Sequence, residues 1–469
     1  MSDHEADVIV IGLGTGGEEL AGRLAMAGLD VVGIEPALVG GECAYWACIP
    51  TKMAVRAANL LVEARRIDGV AGHAAVTPDW EPVATRIRDQ AAGGWDDSYA
   101  VARFEGRGGR FVRGRGVLTG PRSVAVGALA FTARRGIVIA TGSRPIVPPI
   151  PGLDGVPYWT SHEAISTPSL PSSLLVLGGG AVGCELGQVF ARFGVEVTIV
   201  EAAERLLPGE EPEASVVVSA ALAADGVRIR TGARAERVEP RDNAVAVTLD
   251  DGTELAAERL LVAVGRASNV SGLGLEAAGI AASGGAIPVD DRLRAGDGIW
   301  AIGDVTGKGM FSHVALYQAG IVVAAILGET VPPADYRSLP RATFTDPEVG
   351  SVGMTEATAR KSGLDVAVVV KPVAATFRGW LHGTGNEGLI KLVADRTDGV
   401  LVGATSVGPH GAELLGMLAL AVHQRVPLED LRTMIYAFPT FHGGVGEAIG
   451  AYARALVQVL DPDAKLLLD

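Results

Sequence analysis

Four apolar residues in a row, Val8-Ile-Val-Ile11, make the first regular pattern of the chain. A short, wholly apolar run suits a strand covered on both faces, as in a parallel sheet. Gly12-Leu-Gly14-Thr-Gly-Gly17 follows, and then a helical stretch over residues 18–27. Leu29-Asp-Val-Val-Gly-Ile34 reads as the next strand, with Glu35 at its end. The whole unit returns 166 residues further on. Leu174-Leu-Val-Leu177 matches the first strand, and Gly178, Gly180 and Gly183 match Gly12, Gly14 and Gly17. Gly194 corresponds to Gly28 and Glu201 to Glu35, without an insertion. Strand, glycine turn, helix, strand and acidic residue form the context that gives Gly-x-Gly-x-x-Gly its meaning. The pattern predicts an α/β protein with two Rossmann-type nucleotide-binding units.

Proline and glycine mark the joints. Pro-Ile-Val-Pro-Pro-Ile-Pro, residues 145–151, is a stiff crossing out of the first unit, and a return crossing is expected near residues 265–274. Val331-Pro-Pro-Ala-Asp335 then leads into a C-terminal α+β domain. It mixes strands, such as 367–370 and 389–393, with helices, such as 412–423. The expected divisions are 1–148 with 268–335, then 149–267, then 336–469.

Composition narrows the classes. Forty basic residues against 54 acidic ones leave a net charge of −14, which argues against nucleic acid or an anionic membrane as partner. No apolar run reaches the roughly 18–20 residues that span a bilayer. The acidic start, Met1-Ser-Asp-His-Glu-Ala-Asp7, does not read as a signal peptide. Three cysteines cannot build a disulfide framework, so a reducing, cytoplasmic setting is expected. The Arg-Gly-rich stretch 105–116 resembles an RNA-binding segment only on the surface. Its alternation continues through Val117, Leu118, Val124 and Val126 and predicts exposed hairpin strands with basic outer faces.

The chemistry begins at the glycines. Gly12, Gly14 and Gly17 permit a tight turn and close approach of backbone to a pyrophosphate, with helix N-terminal charge behind it. Glu35 suits a pair of ribose hydroxyls. Glu201, in the second unit, accepts from a 2′-OH and repels a 2′-phosphate, so NADH is favoured; nearby Arg205 keeps NADPH open as an alternative. Cys43 and Cys48, four residues apart in Gly-Gly-Glu-Cys-Ala-Tyr-Trp-Ala-Cys-Ile-Pro-Thr-Lys, put a dithiol just beyond the first fingerprint. Both are expected at the start of one helix running past Met53, with Pro50 in its first turn and both thiol pKa values depressed. No second Cys or His pair stands at ligand spacing, so no metal site is predicted. Cys184, on the helix after the second fingerprint, reads as an inert core thiol. One nucleotide to receive electrons, one to supply them and a thiol pair to relay them point to an electron-transfer enzyme.

These motifs together resemble the flavoprotein pyridine nucleotide–disulfide oxidoreductases, which include dihydrolipoamide dehydrogenase, glutathione and mycothione reductases and mercuric reductase. The likeness runs over roughly residues 6–460. It adds Ile139-Ala-Thr-Gly-Ser-Arg-Pro145, Val262-Ala-Val-Gly-Arg266, Ile302-Gly-Asp-Val305, Phe344-Thr-Asp-Pro-Glu348 and Val407-Gly-Pro-His410. The resemblance implies FAD on the first unit, NAD(P)H on the second and a homodimer built by the C-terminal domain, with each active site completed across subunits. It assigns cofactor contacts to Gly41, Thr141, Gly142, Gly265 and Arg266, and the ribityl chain to Asp304. It makes Cys48 the flavin-proximal thiol and Cys43 the one that attacks a small substrate. Lys52 and Glu185 become the ion pair between flavin and nicotinamide.

The chain departs from the family at one place that matters. Disulfide-reducing members carry His-Pro-Thr-x-x-Glu, whereas here the stretch is Phe438-Pro-Thr-Phe-His-Gly443. Neither phenylalanine nor glycine can move a proton. His442 and Glu447 repeat the spacing one turn later, so His442 reads either as a relocated acid–base residue or as an interface histidine. Tyr45 and Trp46, where the family has smaller residues, either line the substrate side or pack beneath the flavin. The missing acid weighs against dihydrolipoamide. The absence of any cysteine beyond Cys184 weighs against mercuric ion. A small disulfide or related electrophile is the leading substrate class. A quinone or dye reductase and a non-enzymatic redox-sensing relative are the alternatives.

Overall fold

The computed structural model describes residues 3–460, with side chains described for residues 4–451. Strand β1, Asp3–Ile11, is longer than its apolar core because Asp3–Ala6 pair with residues 130–133 before the buried part begins. Helix α1 spans Thr15–Met26 and strand β2 spans Val31–Glu35. β1 pairs in parallel with β2 on one side and with Leu129–Ile139 on the other. Ile299–Ala301 continues that sheet from far along the chain, and Arg110–Arg113 closes its opposite edge. Every residue of β2 is buried, as a continuous apolar run in a covered parallel sheet requires.

The second unit repeats this order. Its five strands run Arg228–Thr231, Glu196–Glu201, Ser173–Leu177, Arg259–Val262, Tyr158–Trp159. The two crossings lie side by side: Ser143–Pro145 pairs antiparallel with Arg266–Ser268. The C-terminal sheet is antiparallel, ordered Pro340–Thr343, Glu348–Gly353, Val400–Gly408, Leu389–Asp395, Val366–Pro372. Helices Gly411–His423 and Gly443–Leu460 cover it, the former packing Leu415, Leu418 and Val422 into its core.

Charged struts tie this third sheet to the rest. Lys391, 1% exposed, meets Glu211, Glu213 and Glu356 at 2.9–3.0 Å. Arg192 and Arg66 converge on Asp346 at 2.8 and 2.9 Å. A cation this deeply buried requires such partners, and three carboxylates raise the Lys391 pKa against the opposing effect of burial.

Two expectations need correction. The stretch 105–116 is not all hairpin: it begins as the end of helix Ser98–Gly106, and Arg110–Arg113 is a parallel edge strand beside β2. Only Gly116–Gly120 and Ser123–Val126 form the hairpin. The arginines are paired rather than presented, Arg110 with Asp30 at 2.8 Å and Arg113 with Asp97 at 2.6 Å. The two cysteines also do not share a helix. Cys43 lies on the short helix α2, Gly41–Tyr45, and Cys48 opens α3, Cys48–Arg65. Ala47, at φ −128° and ψ −99°, breaks the helical path between them.

Candidate active site

The first and third fingerprint glycines are fixed by backbone packing alone. A Cβ on Gly12 would collide with the Ala140 carbonyl, and one on Gly17 with the Gly12 carbonyl. Gly178 and Gly183 repeat this against Ala263 and Gly178. The middle glycines differ. Around Gly14 and Gly180 a Cβ would meet nothing within 4 Å, so the protein leaves open ground at the start of each helix. That cradle, with helix N–H groups facing it, fits a dinucleotide pyrophosphate in both units. Gly41, at φ +65°, faces Gly14 so closely that a Cβ on it would come within 2.8 Å of the Gly14 Cα, and this brings α2 onto the first cradle.

The acidic residues at the strand ends hold the cradles open. Glu35 accepts from Leu13 N and Ala37 N, both at 2.9 Å. Burial raises its pKa, and those two hydrogen bonds oppose the rise. Glu201 accepts from Gly179 N at 2.6 Å and Ala203 N at 2.7 Å. Thr141 and Asn269 exchange side-chain-to-backbone hydrogen bonds across the crossings at 2.8 and 2.9 Å, beside Gly142. Asp304, in the turn Gly303–Thr306, accepts from Ser143 Oγ, and burial raises its pKa despite that bond. Gly265, at φ +126°, turns the chain into Arg266, which donates to Ser143 Oγ at 2.8 Å.

α2 and α3 bring the two thiols together. Cys48 lies 3.4 Å from Ser312 Oγ, at the first turn of helix Ser312–Leu327. The Cys48 thiol donates to Cys43 and lowers the Cys43 pKa to about 6. Burial opposes that shift, while hydrogen bonds from Ser312 and Thr15 and the Lys52 charge reinforce it. Cys48 moves upward, first because Cys43 holds its proton and then because of burial. One proton shared between two sulfurs explains both directions, so only one thiol, not two, is depressed. Lys52, one turn into α3, reaches Glu185 at 2.7 Å. Glu185 also accepts from Phe344 N at 2.8 Å, and the Lys52 ammonium lies 4.7 Å from the Phe344 ring.

Cysteines, ion pair and first cradle thus converge, and the second cradle opens the helix that carries Glu185. Cys184 stays out of it: fully buried, it donates to Gly179 O at 3.3 Å, and burial raises its pKa to about 12. Among the described residues no group of three or more His, Cys, Asp or Glu could hold a metal ion. No helix among them is long and apolar enough to cross a membrane.

The family described as pyridine nucleotide-disulphide oxidoreductase matches residues 6–319, and its dimerisation domain matches residues 339–449. The chain belongs to this family. It is 36% identical over 455 residues to the dihydrolipoyl dehydrogenase of Chlorobaculum tepidum, covering 94% of this chain and 96% of that one. Among solved structures it is similar to the HOCl-induced flavoprotein disulfide reductase RclA of Escherichia coli in its Cu(II) complex. That match has a TM-score of 0.85 and 31% identity, covering 96% of this chain and 99% of RclA. LpdA of Mycobacterium tuberculosis superposes with a TM-score of 0.84 at 27% identity, over 96% and 99% of the two chains. Members of this family are FAD-dependent NAD(P)H oxidoreductases, and FAD and NAD(H) are the cofactors that the two cradles fit.

The C-terminal candidates are not brought together. The helix starts at Gly443, so His442 precedes its first turn instead of riding one turn above Glu447. Glu447 lies 3.4 Å from Lys371 and accepts from Phe377 N at 3.3 Å. His442 tilts against Tyr436, ring centroids 6.0 Å apart, and lines a cavity of about 480 Å³ with His410, Met417 and Met434. Phe438 is 74% exposed and packs edge-on against Phe377.

Tyr45 and Trp46 both have partners within the protein. The buried Tyr45 hydroxyl donates to Val39 O at 3.1 Å, and Trp46 stacks on both Trp95 and His162. Sequence reading missed Ser312, Thr15, Glu42 and His162. Ser312 stands 264 residues from Cys48, and nothing in its own neighbourhood marks it.

Proposed function

We propose that the chain is an NADH-dependent FAD disulfide reductase that uses Cys43 and Cys48 to reduce a small disulfide and works as a homodimer. The observation that carries this reading is the thiol pair itself: hydrogen-bonded, with Cys43 lowered to about 6 and Lys52 beside it. At neutral pH Cys43 is then mostly thiolate, the nucleophilic form. It attacks one sulfur of the substrate, the S–S bond breaks, and one thiolate leaves. Cys48 then attacks the Cys43 sulfur, releases the second thiolate and closes the Cys43–Cys48 disulfide. The Cys48 proton serves one leaving thiolate and solvent serves the other. Bound FAD supplies the two electrons that restore the dithiol, having taken them as hydride from NADH.

Cofactor choice has support in the second unit. Arg205 donates to the carbonyls of Leu207, Pro208 and Glu210 at 2.8–3.0 Å, so its guanidinium is committed to its own loop. Together with the Glu201 carboxylate this favours NADH over a 2′-phosphorylated nucleotide. Exposed Phe377, Trp380, Leu381, Ile435 and Phe438 on the C-terminal domain support burial against a second copy. Sedimentation of the holoprotein checks that pairing.

A second reading rests on Phe438. With no imidazole at that position to protonate a leaving thiolate, acceptors that need no such proton gain ground. Two Cu(II) ions can each take one electron from the dithiol, leaving Cu(I), a disulfide and protons. The likeness to RclA, whose structure is a Cu(II) complex, supports testing this class beside quinones. The deciding experiment is NADH turnover with a small aromatic disulfide, Cu(II) and a quinone, each with wild type and Cys43→Ser. Disulfide turnover lost in the variant supports the proposal. Turnover retained with every acceptor would make the dithiol idle.

A further inference from the structure

The segment that carries Cys43 is gripped from the second nucleotide unit by a set of contacts that no step above uses. Glu42, next to Cys43 on α2, is paired with His162 Nε2 at 2.9 Å and with Arg266 Nη2 at 2.8 Å. An ionised carboxylate can only accept, so Nε2 of His162 carries the proton. Burial pushes the Glu42 pKa up, but His162 and Arg266 outweigh it and keep the carboxylate ionised. Trp46, one turn further on, donates its backbone N–H to Glu42 O at 2.9 Å and lays its indole on the same His162 ring. Those rings are 4.6 Å apart and 15° from parallel. Trp46 also stacks on Trp95 at 5.5 Å.

One imidazole therefore holds the chain on both sides of Cys43. His162 is itself fixed: it lies in the first turn of helix Ser161–Ser166, whose capping box joins Thr160 and Glu163. Arg266 extends the chain of bonds to Ser143 and on to Asp304. Such a grip does more than hold two domains together. α2 and α3 meet at a break with no regular hydrogen-bond ladder across it, so the separation of the two sulfurs depends on what anchors each helix. α3 is long and packed along its length, whereas α2 has five residues.

We propose that Glu42 and His162 are positioning residues for Cys43, pinning α2 to the second nucleotide unit so that the thiol stays within bonding reach of Cys48. This rests on the dithiol reading above. Closing a disulfide is favoured by the effective concentration of one thiol at the other, so loosening α2 weakens the disulfide.

The test uses the holoprotein equilibrated anaerobically in glutathione redox buffers, with Cys43–Cys48 oxidation read by alkylation and mass. Melting temperature is read in parallel. Glu42→Gln and His162→Ala are expected to shift the dithiol–disulfide equilibrium about tenfold toward the dithiol. His162→Gln, which keeps a donor toward Glu42, is expected to shift it less. An equilibrium within twofold of wild type in both Glu42→Gln and His162→Ala overturns the proposal. A lowered melting temperature with an unmoved equilibrium also overturns it, by leaving the grip a purely structural role. Cys43→Ser keeping full disulfide turnover would instead sink the underlying reading, and that arm is independent of the redox titration.

Discussion

The two nucleotide units begin from the same instructions and end in different chemistry. Both use a buried strand, three glycines, a helix and a carboxylate that closes its own loop through two backbone N–H groups. Both leave the middle glycine facing open ground. The divergence comes after the carboxylate. Beyond Glu35 the chain turns through Gly40 and Gly41 back onto Gly14 and delivers Cys43 and Cys48 to that cradle. Beyond Glu201 it loops through Arg205, whose guanidinium closes the turn on itself. The second unit has a cysteine too, but Cys184 sits on the buried face of its helix with a pKa raised to about 12. The difference teaches that the fingerprint supplies a place for a nucleotide, and the next dozen residues decide what is done there.

The contrast can be broken most severely at the sulfurs. Cys43→Ser or Cys48→Ser is expected to lower disulfide reduction by at least about a thousandfold, since the pair acts as a unit. Cys184→Ser should leave turnover unchanged, and steady-state kinetics on the three variants checks both statements. The next largest effect separates the cradles. Gly14→Ala and Gly180→Ala both have room for the methyl group and extended backbone at negative φ. Each should keep the fold while weakening one nucleotide by roughly 10- to 100-fold, the worth of one charge-assisted hydrogen bond. Gly14→Ala should reduce FAD content and Gly180→Ala should raise the KM for NADH, measured by absorbance and by kinetics.

A smaller, graded effect concerns pH. With Cys43 lowered to about 6, its thiolate, and so its alkylation rate in the reduced protein, should rise through pH 6 and level off near neutrality. A rise only near pH 9, the ordinary thiol range, would mean the hydrogen bond from Cys48 is not made. The smallest effect is expected at His442. Its replacement by Ala should change disulfide turnover by less than about threefold, because a true general acid contributes about a hundredfold or more. A loss of that size, with an altered pH profile, would restore His442 as the acid.

What the sequence showed and what it hid divide along contact range. The fingerprint glycines, the buried strands and the thiol pair were legible because each depends on neighbours within one supersecondary unit. The Lys52–Glu185 pair spans 133 residues and was visible only through family likeness. Ser312, Glu42 and His162 were invisible because their partners arrive from other sheets. The break at Ala47 was missed because the good helical signal around Pro50 extends forward from Cys48 and says nothing about the residues before it. The His442–Glu447 spacing does not become a pair within the chain. The helix they were expected to share begins one residue after His442, and Lys371 takes the carboxylate.

The central claim, that Cys43 and Cys48 relay electrons beside a bound flavin, is tested most directly by anaerobic titration of the holoprotein with NADH. The account predicts uptake of four electrons per subunit, two for the flavin and two for the disulfide. It also predicts that uptake falls to two electrons in Cys48→Ser, which cannot close the disulfide. Uptake of two electrons with the same spectrum in wild type and variant would contradict it.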